Sequence, residues 1–171
     1  MFAWALSSTP SGSETTILML PDWIELCRLF GARSVDFLLI GGQAVIAHGY
    51  PRLTKDMDLW VRPSRENGVR VLEALTDFGT PLPDVAPERF TDRETIIMLG
   101  REPFRVDLLT HIPGVEFEAA WQHRTSVALD GVRVPLISRD DLITNKKAVG
   151  RLQDLADVEA LEAVGSANQD G

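Results

Sequence analysis

Asp56 and Asp58 stand two residues apart in the run Lys55-Asp56-Met57-Asp58-Leu59-Trp60-Val61, alternating with apolar side chains. Successive side chains of an extended strand point to opposite faces, so the two carboxylates share one face while Met57 and Leu59 turn to the other. Like charges on one face repel, and holding them partly out of water is costly unless a cation lies between them. A set of hard oxygen ligands suits Mg²⁺. Asp107, within Val106-Asp107-Leu108, is placed to supply a third carboxylate from a neighbouring strand. Upstream, Gly41-Gly42 ends an apolar run, and a turn without side chains lets backbone N–H groups approach a phosphate closely. No Gly-Lys-Ser/Thr follows the pair, and its spacing lacks the further glycines of a dinucleotide fingerprint, so both of those phosphate sites are excluded. Arg52 and Lys55, beside the acids, are candidate triphosphate contacts. Each piece taken singly has an ordinary alternative: a solvated acidic strand face, a plain turn, surface charges.

These residues need elements to carry them. Trp23, Leu26, Cys27 and Phe30 recur at helical spacing, with Asp22 as the expected N-cap and Gly31 near the stop. Residues 35–40 read as a strand, followed by the glycine turn and a helix over 43–48 that Gly49 and Pro51 break. The alternation over 55–61 predicts a strand with two different faces, and Ser64 caps a helix reaching about Leu75. Residues 77–93, with Pro81, Pro83 and Pro87, read as a loop. Runs over 95–99 and 104–110 predict a hairpin, a short helix is expected over 115–121, and Asp130-Gly131 between 125–129 and 132–137 predicts a type I′ hairpin. Ser138 with Asp141 opens a last helical segment, interrupted near Gly150 and running to about Val164. The fold class read from this order is α/β in the broad α+β sense: a mixed β-sheet flanked by helices, with no internal repeat.

Taken together these pieces resemble the nucleotidyltransferase superfamily, whose fold is like that of polymerase beta. Its pattern is an apolar strand, a Gly-Gly or Gly-Ser turn, some ten residues or a few more, Asp-x-Asp/Glu between apolar residues, and later a lone Asp on a strand. The run FLLIGGQAVIAHGYPRLTKDMDLWV over 37–61 matches in order and spacing. It is similar in particular to small bacterial nucleotidyltransferases related to abortive-infection toxins, in Gly41-Gly42, His48-Gly49 and the Arg-x-Thr-x-Asp-x-Asp run from Arg52 to Asp58. LITNKKAVGRLQDLADVEAL over 142–161 resembles the closing helix of that group. Many members carry Ser where this chain has Gly42, so phosphate binding here must rest on backbone N–H groups and nearby cations.

The resemblance implies nucleotidyl transfer from a nucleoside triphosphate, ATP among them, to an acceptor hydroxyl. Asp56, Asp58 and Asp107 would be the catalytic residues and would hold two Mg²⁺ ions, with Asp107 helping to deprotonate the hydroxyl. Gly41, Gly42, Arg52, Lys55 and Lys146 would bind the nucleotide. Lys146 and Lys147 diverge by about 100° on a helix, so only one of them can face the cleft, and the sequence leaves open which. The acceptor, a small molecule, a protein side chain or a tRNA end, is not legible. The alternative reading is a non-catalytic protein of the same fold acting as a binding partner in a toxin–antitoxin pair, with an antitoxin as its partner. A glycosyltransferase also uses Asp-x-Asp but does not call for a glycine turn just upstream. His48 reads as a structural hydrogen-bonding residue, His111 and His123 lack metal-ligand spacing, and Asp154 and Asp157 read as partners of nearby cations.

Composition bounds the rest. The chain has 171 residues, 25 acidic against 17 basic and hence a net charge of −8, with 44% hydrophobic residues. That is one globular domain, expected over 20–165 between a flexible leader, 1–19, and a tail, 166–171. The acidic balance excludes broad nucleic-acid binding through a basic surface. Cys27 is the single cysteine, which excludes an intramolecular disulfide and a Cys-rich zinc site and fits a reducing compartment. No run approaches the roughly 18 apolar residues of a membrane span, and the leader lacks a basic n-region, so no membrane partner and a cytoplasmic location are expected.

Overall fold

The computed structural model describes residues 19–101 and 104–167. The expected leader apart from Met19, which packs against the core, and the last residues of the tail lie outside them, as do two residues of the turn between the strands of the first hairpin. The chain order is α1 (Pro21–Ala32), β1 (Phe37–Ile40), α2 (Gly41–Ala47), β2 (Asp56–Val61) and α3 (Arg65–Asp77). A 3₁₀ turn (Pro87–Thr91), β3 (Ile96–Leu99), β4 (Arg105–Leu109), α4 (Phe117–His123), β5 (Thr125–Leu129) and β6 (Val132–Leu136) follow, then α5 (Arg139–Val149) and α6 (Leu152–Ala167). The six strands form one mixed sheet in the order β3-β4-β2-β1-β6-β5, the architecture expected from the element order. β1 is antiparallel to β2 and parallel to β6, while β2 and β4 run parallel.

Strand alternation divides the sheet into a core face and a working face. Phe37, Leu39, Met57, Leu59, Val106 and Leu108 are all buried on the core face. α1 packs there, with Phe30 meeting Phe37 edge-to-face at 5.3 Å between ring centroids. On the other face α4 covers only one end, where Phe117 stands edge-to-face on Trp60 at 5.0 Å. Among the described residues the end bearing the aspartates opens into a cleft.

Several local expectations hold for the reasons given. Ser64 Oγ accepts from the Asn67 N–H and Ser138 Oγ from the Asp141 N–H, each satisfying an orphan donor of a first helical turn. Asp130 and Gly131 both take positive φ, 47° and 81°, as a type I′ turn requires. Gly150 closes α5 in the left-handed conformation at φ 72°.

Other expectations need correction. α1 begins at Pro21 with Leu20 as N-cap, so Asp22 lies in the first turn and makes no cap; proline fixes φ and lacks the N–H that a cap would satisfy. No separate turn follows β1, because Gly41 is itself the first residue of α2 and supplies the turn through its φ of +65°. The segment 77–93 is not all loop: the 3₁₀ turn seats Phe90, 1% exposed, against α3 at Gly68. A Cβ at Gly68 would stand 2.8 Å from the Phe90 ring and 2.7 Å from the Pro87 carbonyl oxygen. α6 extends past Val164 to Ala167, into the expected tail.

Candidate active site

Pairing of β2 with β4 places Asp56 opposite Arg105 and Asp58 opposite Asp107. Residues in register on neighbouring strands share a face, so the three aspartates occupy one patch at the open end of the working face, as the sequence pattern requires. They line a cleft of about 460 Å³ whose other walls come from Gly41 and Gly42, from Arg52 and Thr54 before β2, and from Lys146, Arg151 and Asp154 of the closing helices.

The electrostatics of the patch are unbalanced at Asp58. Burial, then the charges of Asp107 and Asp56, push its carboxyl up to about 6, against weaker opposition from Arg105 and Lys146. Arg105 is the residue the sequence reading missed. One guanidinium nitrogen donates to Asp56 Oδ2 at 3.1 Å and to Asp107 Oδ2 at 3.0 Å, and Nε lies 2.9 Å from Asp107 Oδ1. Its signal was present: Arg105 is two residues before Asp107, so the same alternation that brings the acids together puts it among them.

The donor set fits a hard divalent cation. All three groups are oxygen ligands on one face of β2 and β4, Asp58 is raised by burial and its like-charged neighbours, and Asp56 Oδ1 is buried without a hydrogen-bond partner. Among the described residues no group of three or more His, Cys, Asp or Glu side chains is already placed to hold a metal ion, and Arg105 bridges two of the three carboxylates.

Gly41 is required by space as well as by its positive φ, and Gly42 by space. A Cβ at Gly41 would lie 2.1 Å from Asp58 Oδ2, and one at Gly42 would lie 2.7 Å from Thr54 Oγ1 and 2.9 Å from an Arg52 guanidinium nitrogen. Any side chain there would fill the space between α2 and the acids. Serine at position 42 would not fit this arrangement of Thr54 and Arg52, which gives a physical reason for the glycine.

Of the expected nucleotide ligands, Arg52 and Lys146 reach the cleft and Lys55 does not. Lys55 is exposed, lies just before β2, and is not among the residues that line the cleft. Lys146 faces inward and Lys147 outward, where it pairs with Glu162 at 2.8 Å. Lys146 is only 4% exposed, and its Nζ meets Asp154 at 2.9 Å and Asp157 at 2.8 Å. Arg52 Nε meets Asp157 at 2.9 Å and Arg151 Nε meets Asp154 at 2.7 Å. Burial pushes the Asp154 carboxyl up, but hydrogen bonds from Arg151 and Lys146 outweigh it and leave it below its ordinary value. Asp154 and Asp157 are thus cation partners, as expected, and they hold α5, α6 and the segment before β2 in one buried network. His48 has the structural role assigned to it: Nε2 donates to the Ile137 carbonyl at 2.8 Å, and burial lowers its basicity. His111 lies at the cleft wall, while His123 bonds Asp141 on the surface.

No protein-family model and no curated protein matches the chain. Solved structures do match in shape. The lincosamide antibiotic adenylyltransferase LnuA, in a lincomycin-bound crystal structure, superposes with a TM-score of 0.53 at 13% identity, covering 87% of this chain and 99% of that one. The antibiotic-resistance factor ANT(2'')-Ia gives 0.51 at 12% identity, covering 85% and 88%. A candidate nucleotidyltransferase from Thermotoga maritima gives 0.50 at 14% identity, covering 91% and 98%. The fold is the nucleotidyltransferase fold. No helix among the described residues is long and apolar enough to cross a membrane.

Proposed function

We propose that the chain is a nucleotidyltransferase that moves a nucleoside monophosphate from a triphosphate to an acceptor hydroxyl. One observation carries the reading: three aspartates on one face of adjacent parallel strands, Asp58 in register with Asp107 and Asp56 two residues before Asp58, line a cleft whose floor at Gly41 and Gly42 has no room for a side chain. Fold likeness to an adenylyltransferase makes ATP the first donor to try.

Asp56, Asp58 and Asp107 would hold Mg²⁺, two ions in this reading, with Arg105 giving up its bridge. When bound, the metal would neutralise phosphate charge and acidify the acceptor hydroxyl. The triphosphate tail would lie over Gly41 and Gly42, where the backbone is bare, with Arg52 and Lys146 as nearby positive charge set in place by Asp154 and Asp157. The acceptor oxygen attacks the α-phosphorus and its proton passes to Asp107. The bond from the α-phosphorus to the bridging oxygen breaks, and pyrophosphate leaves. The presence of all three aspartates on one face at the cleft counts against the non-catalytic alternative.

The test is incubation of the protein with Mg²⁺, a cell extract and each triphosphate labelled at the α-phosphate, followed by isolation of the labelled product. Label on an acceptor with wild type and none with Asp56→Asn/Asp58→Asn supports the reading. Absence of labelled product with all four nucleotides, or equal labelling by the double variant, contradicts it.

A further inference from the structure

The acceptor side of the cleft has a chemistry of its own, and assigning an acceptor to it rests on the nucleotidyl-transfer reading. Across the working face, Ile40, Asp58, Asp107 and Met98 form one row, each in register with the next on β1, β2, β4 and β3. Trp60, Leu109 and Ile96 form part of the row beside it. Strands lie about 4.8 Å apart, so Met98 sits roughly 14 Å across the sheet from the β1 end, with the acids between them. An in-line displacement puts the acceptor opposite the leaving pyrophosphate. With the phosphates at the glycine end, the acceptor must therefore enter from the β3 side.

That side is apolar, and its side chains are exposed among the described residues. Ile96 is 58% exposed and Met98 66%, both on the face that carries Asp107. Leu109, Ile112, Pro113 and Val149 carry apolar surface from there into the cleft. We infer that the shelf formed by Ile96, Met98 and Leu109 is the acceptor subsite, and that the acceptor is an amphipathic small-molecule alcohol. Its apolar face rests on the shelf and its hydroxyl meets Asp107.

The size of the shelf excludes larger occupants. Two side chains on a four-residue strand fall far short of the roughly 800 Å² per partner of a stable protein interface. So short an edge strand is also a poor template for pairing with a second copy. A net charge of −8 opposes a polynucleotide. Methionine, flexible and polarizable, suits a surface that must adapt to a ligand's apolar face.

Methyl-resolved NMR on the full chain with Mg²⁺ and a non-hydrolysable ATP analogue tests this, using octyl glucoside below its micelle concentration and glucose as probes. Saturable shifts of the Ile96 and Met98 methyls with octyl glucoside, and none with glucose, are expected. Ile96→Ser/Met98→Ser, both at exposed positions, should raise the octyl glucoside dissociation constant roughly tenfold and leave the Mg·ATP thermal shift unchanged. No saturable shift, or the same affinity in the double variant, overturns the acceptor subsite while the nucleotide site stands on its own thermal shift. Octyl glucoside binding without any triphosphate binding overturns the reading of the cleft and the acceptor role with it. A dimer in sedimentation equilibrium that the double substitution dissociates assigns the strand to a second copy and overturns the proposal.

Discussion

Two clusters of buried charge meet in one cleft and are built on opposite principles. At the closing helices, Asp154 and Asp157 are matched by Lys146, Arg151 and Arg52, and every close contact is between opposite signs. On β2 and β4, Asp56 and Asp107 share the Arg105 guanidinium, and Asp58 beside them is held up at about 6 by burial and its acidic neighbours. The first cluster is matched by its own cations; in the second, Asp58 faces burial and like charge against only weaker opposition from Arg105 and Lys146. Completed ion networks brace a fold, whereas an uncompensated set of carboxylates facing a cleft has its stability tied to a ligand.

The sharpest way to break the comparison is at the balanced cluster. Asp157→Ala should destabilise the protein by about 3–5 kcal/mol, because it leaves Lys146 and Arg52 short of a buried partner; denaturant unfolding measures it. The opposite sign is expected at the unbalanced cluster. Asp58→Asn should stabilise the metal-free protein, by up to about 3 kcal/mol at pH 8 if the full shift from 3.8 to about 6 is relieved. The pH dependence comes from the raised folded value: the wild-type protein is free of this penalty below 3.8 and loses stability as pH rises through about 6, and the variant should lack that slope. Unfolding free energies at several pH values between these limits read it out.

Legibility in the sequence followed the same division. The acidic patch was readable because alternation along a strand is a local rule, and 56, 58 and 107 needed only the right neighbouring strand. Arg105 obeys that rule too and was legible in retrospect. The inward turn of Lys146 was not, since helical spacing separates it from Lys147 without saying which side faces the sheet. The 3₁₀ turn at Pro87–Thr91 escaped because its prolines read as loop while its anchor, Phe90 against Gly68, is a tertiary contact.

Arg105→Gln sharpens the contrast at smaller scale. Removing the one cation among the acids should destabilise the metal-free protein by about 1–2 kcal/mol, and millimolar Mg²⁺ should restore more stability to the variant than to wild type. Melts with and without the metal compare them. Smallest of all is Lys147→Ala, whose exposed pair with Glu162 should contribute no more than about 0.5 kcal/mol to unfolding.

The central claim, that the unbalanced aspartates and the bare glycine floor form a metal-dependent triphosphate site, is tested most directly by thermal melts of wild type and Asp56→Asn/Asp58→Asn with Mg²⁺ and each nucleoside triphosphate. At ligand about a hundredfold above its dissociation constant, wild type should gain about 2.7 kcal/mol, a Tm rise of roughly 5–10 °C that requires Mg²⁺. The double variant should fold and show none of it. An unmoved Tm with every triphosphate, or the same rise in the double variant, would contradict the account.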